Sequence, residues 1–314
     1  IFNVQSGTNV FDWTIPKEWS CECAYIISPE GDRFCDFGKN NLHLIGYSTP
    51  VNKTISLFEL QDHLYSLPDQ PTAIPYVTSY YKERWGFCLS ENERKTLVEG
   101  DYEVFIDSEL FDGSLTYGEL IIPGSIEKEI FLSTYICHPS MANNEISGPV
   151  VSTFVAKYFQ RLKNRYSIRF VFIPETIGAI AYISKNYKNL KKNVIASYNL
   201  TCVGDERNYS VMFSKYGNSL SDLAAIEAFK KLKIKYRKYS YLHRASNERQ
   251  FNFPNVEIPM TVLMRTHPAI YPEYHTSLDN FKVVSEKGLM GGYNVLKKTI
   301  NILQNKIIPI IKSA

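Results

Sequence analysis

The chain has 314 residues, 44% of them hydrophobic, and a formal net charge of +3. That length allows one large domain with an insertion, or two domains, around a sizeable core. The charge is too small and too scattered for a nucleic-acid-binding stripe, and no apolar run of about 18 residues exists to span a membrane.

Residues 1–19 carry FDWTIPKEW, in which Trp13, Pro16 and Trp19 suggest an extended, packed segment. Residues 20–115 are dense in turns. Strand-like pieces (AYIISPEG, HLIGYSTPVNKTI, RWGFCLS, DYEVFIDSEL) alternate with Pro29-Glu30-Gly31 and Asp112-Gly113, and one helical piece starts after Thr54. The pattern predicts a small β-rich domain, 20–115, inserted into an α/β domain made of 1–19 and 116–314. Tyr80, Tyr81 and Trp85 are its candidates for the wall of a cleft, the plainer reading being core packing.

From about 116 the period changes. Strands alternate with helices expected over 147–163, 178–190, 218–236 and 284–305, which predicts a mostly parallel (mixed) sheet flanked by helices. Four strand ends carry groups capable of chemistry. The apolar run 130–136 leads to Cys137-His138-Pro139 and a polar loop, 140–145. YSIRFVFIPET delivers Glu175, and VIASYNLTCVGD delivers Asp205. IPMTVLMR leads to a loop with Tyr274, His275 and Asp279. In a parallel sheet these ends share one edge, where ligands bind in open α/β folds. Two imidazoles and two carboxylates converging there suit a divalent ion, most often zinc. Two of them have a plainer alternative: His138 as a loop histidine, Glu175 as a carboxylate at a helix N-terminus.

The six cysteines form no CxxC pair, and Cys137 and Cys202 sit within apolar strands. The first argues against a zinc ribbon; the second suits buried free thiols, and with them a reducing, cytoplasmic setting. No secretory leader is visible.

The segments CHPSMANNEISGP (137–149), IPETIGAIAYIS (173–184), TCVGD (201–205), SNERQF (246–251) and YPEYHTSLDN (271–280) together resemble the zinc-dependent aminopeptidase superfamily. More closely, with FDWTIPKEW, LPDQPTAIPY, TSYYKERWGFC and GSLTYGE, they resemble the aminopeptidase-like family often linked to bacterial polysaccharide-biosynthesis loci. The resemblance implies a zinc-exopeptidase-like fold, with Glu175 as general base and His138, Asp205 and His275 as metal ligands. It places Asn144 where an Asp bridges two metals, and Thr176 where a second Glu ligand stands in the superfamily. It assigns Asn247, Glu248 and Arg249 to a substrate-contacting loop. Arg265 ends a strand and is a candidate partner for a substrate carboxylate or Asp279; Tyr274 is a further substrate-side candidate. Asp279 either orients a ligand histidine or caps local backbone.

With two negative charges fewer than a two-metal site, one zinc ion is expected rather than two. The expectation is a zinc-dependent, aminopeptidase-like hydrolase acting on a small peptide or amide, with no membrane or nucleic-acid partner and with homo-oligomers allowed. The alternatives are an amide hydrolase acting on an acylated amino sugar, and a catalytically weakened binding or regulatory protein. The last is motivated by Asn144 and Asn247, both standing where that family reads Asp.

Overall fold

The computed structural model describes residues 1–79 and 81–305. A short strand, β1 (Phe2–Gln5), opens the chain. A four-stranded antiparallel sheet follows: β2 (Glu18–Ile27), β3 (Arg33–Phe34), β4 (Val51–Ser56) and β5 (Asp101–Phe111), in the order β3-β2-β5-β4. Alternation makes this sheet one-sided. Along β5, Tyr102, Val104 and Ile106 are buried, whereas Asp101, Glu103 and Asp107 face solvent. The inner residues pack with Ala24, Ile26, Leu60 and Phe87 into a core separate from the rest of the chain. Trp85 packs against that core with its ring stacked 3.5 Å from the ring of His63.

The second lobe runs β6 (Ser114–Ile122), β7 (Gly124–Tyr135), α1 (Ser147–Phe159), β8 (Asn164–Ile173), α2 (Ile177–Asn193), β9 (Val194–Leu200), β10 (Ser210–Met212), α3 (Leu220–Lys231), β11 (Arg237–Tyr239), β12 (Met260–Met264) and α4 (Glu286–Gln304). With β1 these strands form an eight-stranded sheet ordered β1-β6-β8-β7-β9-β12-β10-β11. The central four, β8, β7, β9 and β12, are parallel, and β1, β6 and β10 pair antiparallel with their inner neighbours. The sheet is therefore mixed with a parallel centre and helices on both faces, as the alternation of strands and helices predicts.

Burial on both faces explains why the central strands read as continuous apolar runs. Ile130 and Leu132 of β7 join one core with Val151, Val155 and Phe159 of α1 and Leu296 and Ile300 of α4. Phe131, between them, joins the opposite core with Tyr182 and Ile183 of α2. Two helices stop short of their periodic pattern. Asn164 donates to the Phe159 and Leu162 carbonyls and closes α1 early, and Lys233 at φ +55° ends the run after α3. No helix among the described residues is long and apolar enough to cross a membrane.

Two features position the site. An extended stretch of the β-rich lobe, 74–76, pairs with residues 275–277: Tyr76 N–H donates to the His275 carbonyl at 2.8 Å and Ser277 N–H to that of Ile74 at 2.9 Å. Helix α4 is capped by Ser285, whose hydroxyl oxygen accepts the Gly288 N–H at 2.9 Å and whose O–H donates to Glu206 at 2.7 Å. A Cβ at Gly288 would lie 1.8 Å from the Gly204 carbonyl, so only glycine lets α4 approach the loop carrying Asp205. Ser285→Ala is expected to cost about 1 kcal/mol, the usual loss of a helix cap. Urea unfolding of the metal-free protein measures it, and an unchanged midpoint would show that Ser285 does not stabilise α4.

Candidate metal centre

The ends of the parallel strands deliver the chemistry. His138 lies just beyond β7, Glu175 just beyond β8, and His275 in the loop after β12. They meet in a cleft of about 570 Å³ whose lining includes Cys137, His138, Glu175 and His275. Tyr47, Tyr76 and Thr78 from the β-rich lobe form one wall, with Lys17, Ser114 and Thr116 nearby. The aromatic wall expected of Tyr80, Tyr81 and Trp85 is thus supplied by Tyr47 and Tyr76. Trp85 does not line the cleft, Tyr81 is 72% exposed, and Tyr80 lies outside the described residues.

His138 is buried, with Nε2 3.6 Å from Glu175 Oε2 and its ring centroid 5.0 Å from that of His275. Tyr76 packs 5.2 Å from both imidazoles. Burial pushes the Glu175 carboxyl above the ordinary carboxylate range, opposed by His138 and a hydrogen bond from Ser246. A raised value suits a general base. Burial, then His138, push His275 down to about 3. It is therefore neutral at pH 7, with Nε2 buried and without a hydrogen-bond partner. A neutral imidazole with a bare nitrogen is the form that a divalent ion takes up.

Glu175 is presented by a strained turn. Thr176 adopts φ +60°, ψ −68°, and Ile177 N–H bonds back to the Glu175 carbonyl at 2.6 Å. This three-residue turn is rare, and for a β-branched residue it persists only where the surroundings hold it. Asn247 does so: its Oδ1 accepts the Thr176 N–H at 2.9 Å while its Nδ2 donates to Ser133 at 3.0 Å. Arg249 donates to the Thr176 hydroxyl at 3.0 Å. Glu248 is fully buried and accepts the N–H groups of Ala245 and Ser246 at 2.8 and 2.9 Å. The three residues expected on the substrate side are thus assembled behind Glu175 and do not line the cleft.

Asp205 is also occupied. Its carboxylate accepts the Thr266 N–H (3.0 Å) and hydroxyl (2.5 Å) and the Arg207 N–H (2.9 Å). Arg265 stacks 3.6 Å over Tyr209, against Gly291 of α4. Tyr274 stacks 3.8 Å on the His275 ring. Asp279, fully buried, accepts Asn143 N–H at 2.7 Å and Asn144 N–H at 2.9 Å. It caps residues 142–146, which form a wide i→i+5 turn where the sequence suggests a loop.

That turn aims Asn144 inward. Its Nδ2 donates to the Tyr135 hydroxyl at 2.6 Å, and its Oδ1 is buried without a donor. Thr201 and Cys202 complete a neutral pocket around it. The next residue, Glu145, has Oε2 3.0 Å from His138 Nδ1. Cys137, His138 and Glu145 form a group whose ligand-type atoms all lie within 4.8 Å of one another. Sequence reading missed Glu145, because nothing in its spacing distinguishes it from a loop carboxylate.

Over residues 1–306 the chain matches the family model described as a domain of unknown function, DUF4910. It is 44% identical over 308 residues to a curated Clostridium acetobutylicum protein, provisionally named a polysaccharide biosynthesis protein with an aminopeptidase-like domain; the match covers 97% of this chain and 70% of that one. The chain belongs to the DUF4910 family. A crystal structure from the same organism, provisionally named a peptidase, superposes with a TM-score of 0.93 at 43% identity, covering 97% of this chain and 72% of that one. The zinc aminopeptidase of Bacillus subtilis shares the fold at a TM-score of 0.67 and 14% identity, covering 94% and 84% of the two chains. This DUF4910 chain therefore has the aminopeptidase-like fold of the zinc aminopeptidases.

The donor set fits a zinc ion. His275 Nε2 and Asn144 Oδ1 are buried acceptors without donors, and a bound cation satisfies such atoms. His138 and His275 would supply imidazole nitrogens to such an ion, and Glu175 Oε2 stands 3.6 Å from His138 Nε2.

Proposed function

We propose that the protein is a zinc-dependent hydrolase of an amide or peptide bond, with one ion held by His138 and His275 and Glu175 as the base. The observation that carries this reading is the pair of facing imidazoles beside a carboxyl whose proton affinity is raised by burial, all within one cleft of an aminopeptidase-like fold. When bound, zinc supplies Lewis acidity toward a water and the scissile carbonyl. Glu175 takes the proton of the attacking water and returns it to the leaving amine. Tyr76 holds both imidazole rings by packing against them, and Asn247 and Arg249 keep the turn that aims Glu175.

A second reading, an N-acylated amino sugar as the substrate, draws on the polysaccharide-biosynthesis name of the Clostridium relative. The lining favours it: tyrosine faces at Tyr47 and Tyr76 and hydroxyls at Thr78, Ser114 and Thr116 suit a polyhydroxylated ring. All six cysteines are unpaired, which supports a reducing, cytoplasmic setting.

Metal analysis of the purified protein, with hydrolysis of aminoacyl-amide and N-acyl-sugar panels, tests both. About one zinc per chain is expected, and His275→Ala should weaken zinc binding at least tenfold. Turnover on one panel selects the substrate class. A protein that binds no zinc and hydrolyses neither panel is a binding protein on a peptidase scaffold, and the proposal is then wrong.

A further inference from the structure

We propose that Glu145 is a positioning residue: by accepting the Nδ1 proton of His138, it fixes the imidazole in the tautomer whose Nε2 is bare toward Glu175 and His275. The claim about the tautomer concerns the protein alone; its consequence for zinc rests on the function proposed above.

The geometry is direct. Glu145 Oε2 lies 3.0 Å from His138 Nδ1, and both residues are only 8% exposed. A carboxylate oxygen at that distance, shielded from water, requires N–H on the facing nitrogen. In the neutral imidazole the other nitrogen is then left with its lone pair, and it stands 3.6 Å from Glu175. Cys137 Sγ, 3.3 Å from the same Nδ1, is the weaker acceptor and already takes the Glu175 N–H at 3.1 Å.

The backbone makes this arrangement possible. Asp279 caps the wide turn 142–146, and Asn144 and Glu145 both turn into the protein. The neutral amide goes to Tyr135 and the carboxylate to His138. The negative charge of this turn therefore acts on the far side of an imidazole. Carboxylates in that position raise the basicity of a ligand histidine, and their loss typically weakens metal binding 10–100-fold.

Nitrogen-15 NMR of the zinc-free, full-length protein reads the tautomer. His138 is expected as the Nδ1–H form in the wild type and as a mixture in Glu145→Ala. Calorimetric zinc titration should show affinity falling about 10–100-fold in Glu145→Ala. In Glu145→Gln, which still offers an oxygen acceptor but no charge, a loss of several-fold is expected. If Glu145→Ala does not fold, Glu145→Gln carries the test. An Nε2–H tautomer in the wild type overturns the proposal. So does wild-type zinc affinity in the variants, or a Glu145 oxygen found within bonding distance of zinc by X-ray absorption. If the wild type binds no zinc at all, the proposed function fails, while the tautomer measurement still decides the role of Glu145.

Discussion

Glu175→Gln is expected to lower turnover about 10²–10⁴-fold, the usual contribution of a general base, with zinc still bound. Glutamine matches the side chain in size but cannot take a proton from water. The contacts that present position 175 run through backbone and neighbours. Its own N–H bonds Cys137 at 3.1 Å, and Thr176 N–H is held by Asn247 at 2.9 Å, so the turn survives the change. Steady-state kinetics paired with metal analysis separates loss of the base from loss of the metal. Retention of wild-type turnover would remove Glu175 from the mechanism. The sign of the pH dependence follows from burial. Because the Glu175 carboxyl is raised above its ordinary value, the ionised base is available only above that raised value, and activity is lost as pH falls through it.

Asn144→Asp should change both metal number and stability. The side chain is 1% exposed, and the backbone N–H of the same residue is bound by the Asp279 carboxylate at 2.9 Å. A carboxylate added here beside Asp279, without a cation, is a buried uncompensated charge and should destabilise the metal-free protein by about 3–5 kcal/mol. With zinc present, the same charge offsets the repulsion between two cations. The variant should then bind a second ion and recover stability with the logarithm of free zinc. Calorimetric titration and zinc-dependent melting of both proteins are the measurements. A wild type that already binds two ions tightly would show that the neutral amide does not limit the site.

The eight-stranded sheet was legible because its central strands are buried on both faces and end in abrupt polar breaks. His138 and Glu175 were legible for the same reason: each follows such a break, at one edge of the sheet. What the chain did not disclose depends on contacts between distant loops. The turn that carries Asn144 and Glu145 is capped by Asp279, 135 residues away, so a local pattern shows only a polar stretch. Asp205 looks like a ligand at a strand end, yet Thr266, beyond β12, engages it with both its N–H and its hydroxyl. Glu248 looks free in SNERQF, but its carboxylate folds back onto the N–H groups of its own loop. A sequence shows where a side chain leaves the backbone at a strand end; which partner captures it is decided by loops that meet only after folding.

The pairing of 74–76 with 275–277 has a bearing on how such a protein diverges. The His275 carbonyl is held by a backbone N–H of the other lobe, and the Ile74 carbonyl accepts the Ser277 N–H in return. Main-chain hydrogen bonds of this kind do not depend on side-chain identity, apart from the prohibition of proline at a donor. The β-rich lobe can therefore change its composition widely and still hold the histidine, provided the stretch stays extended.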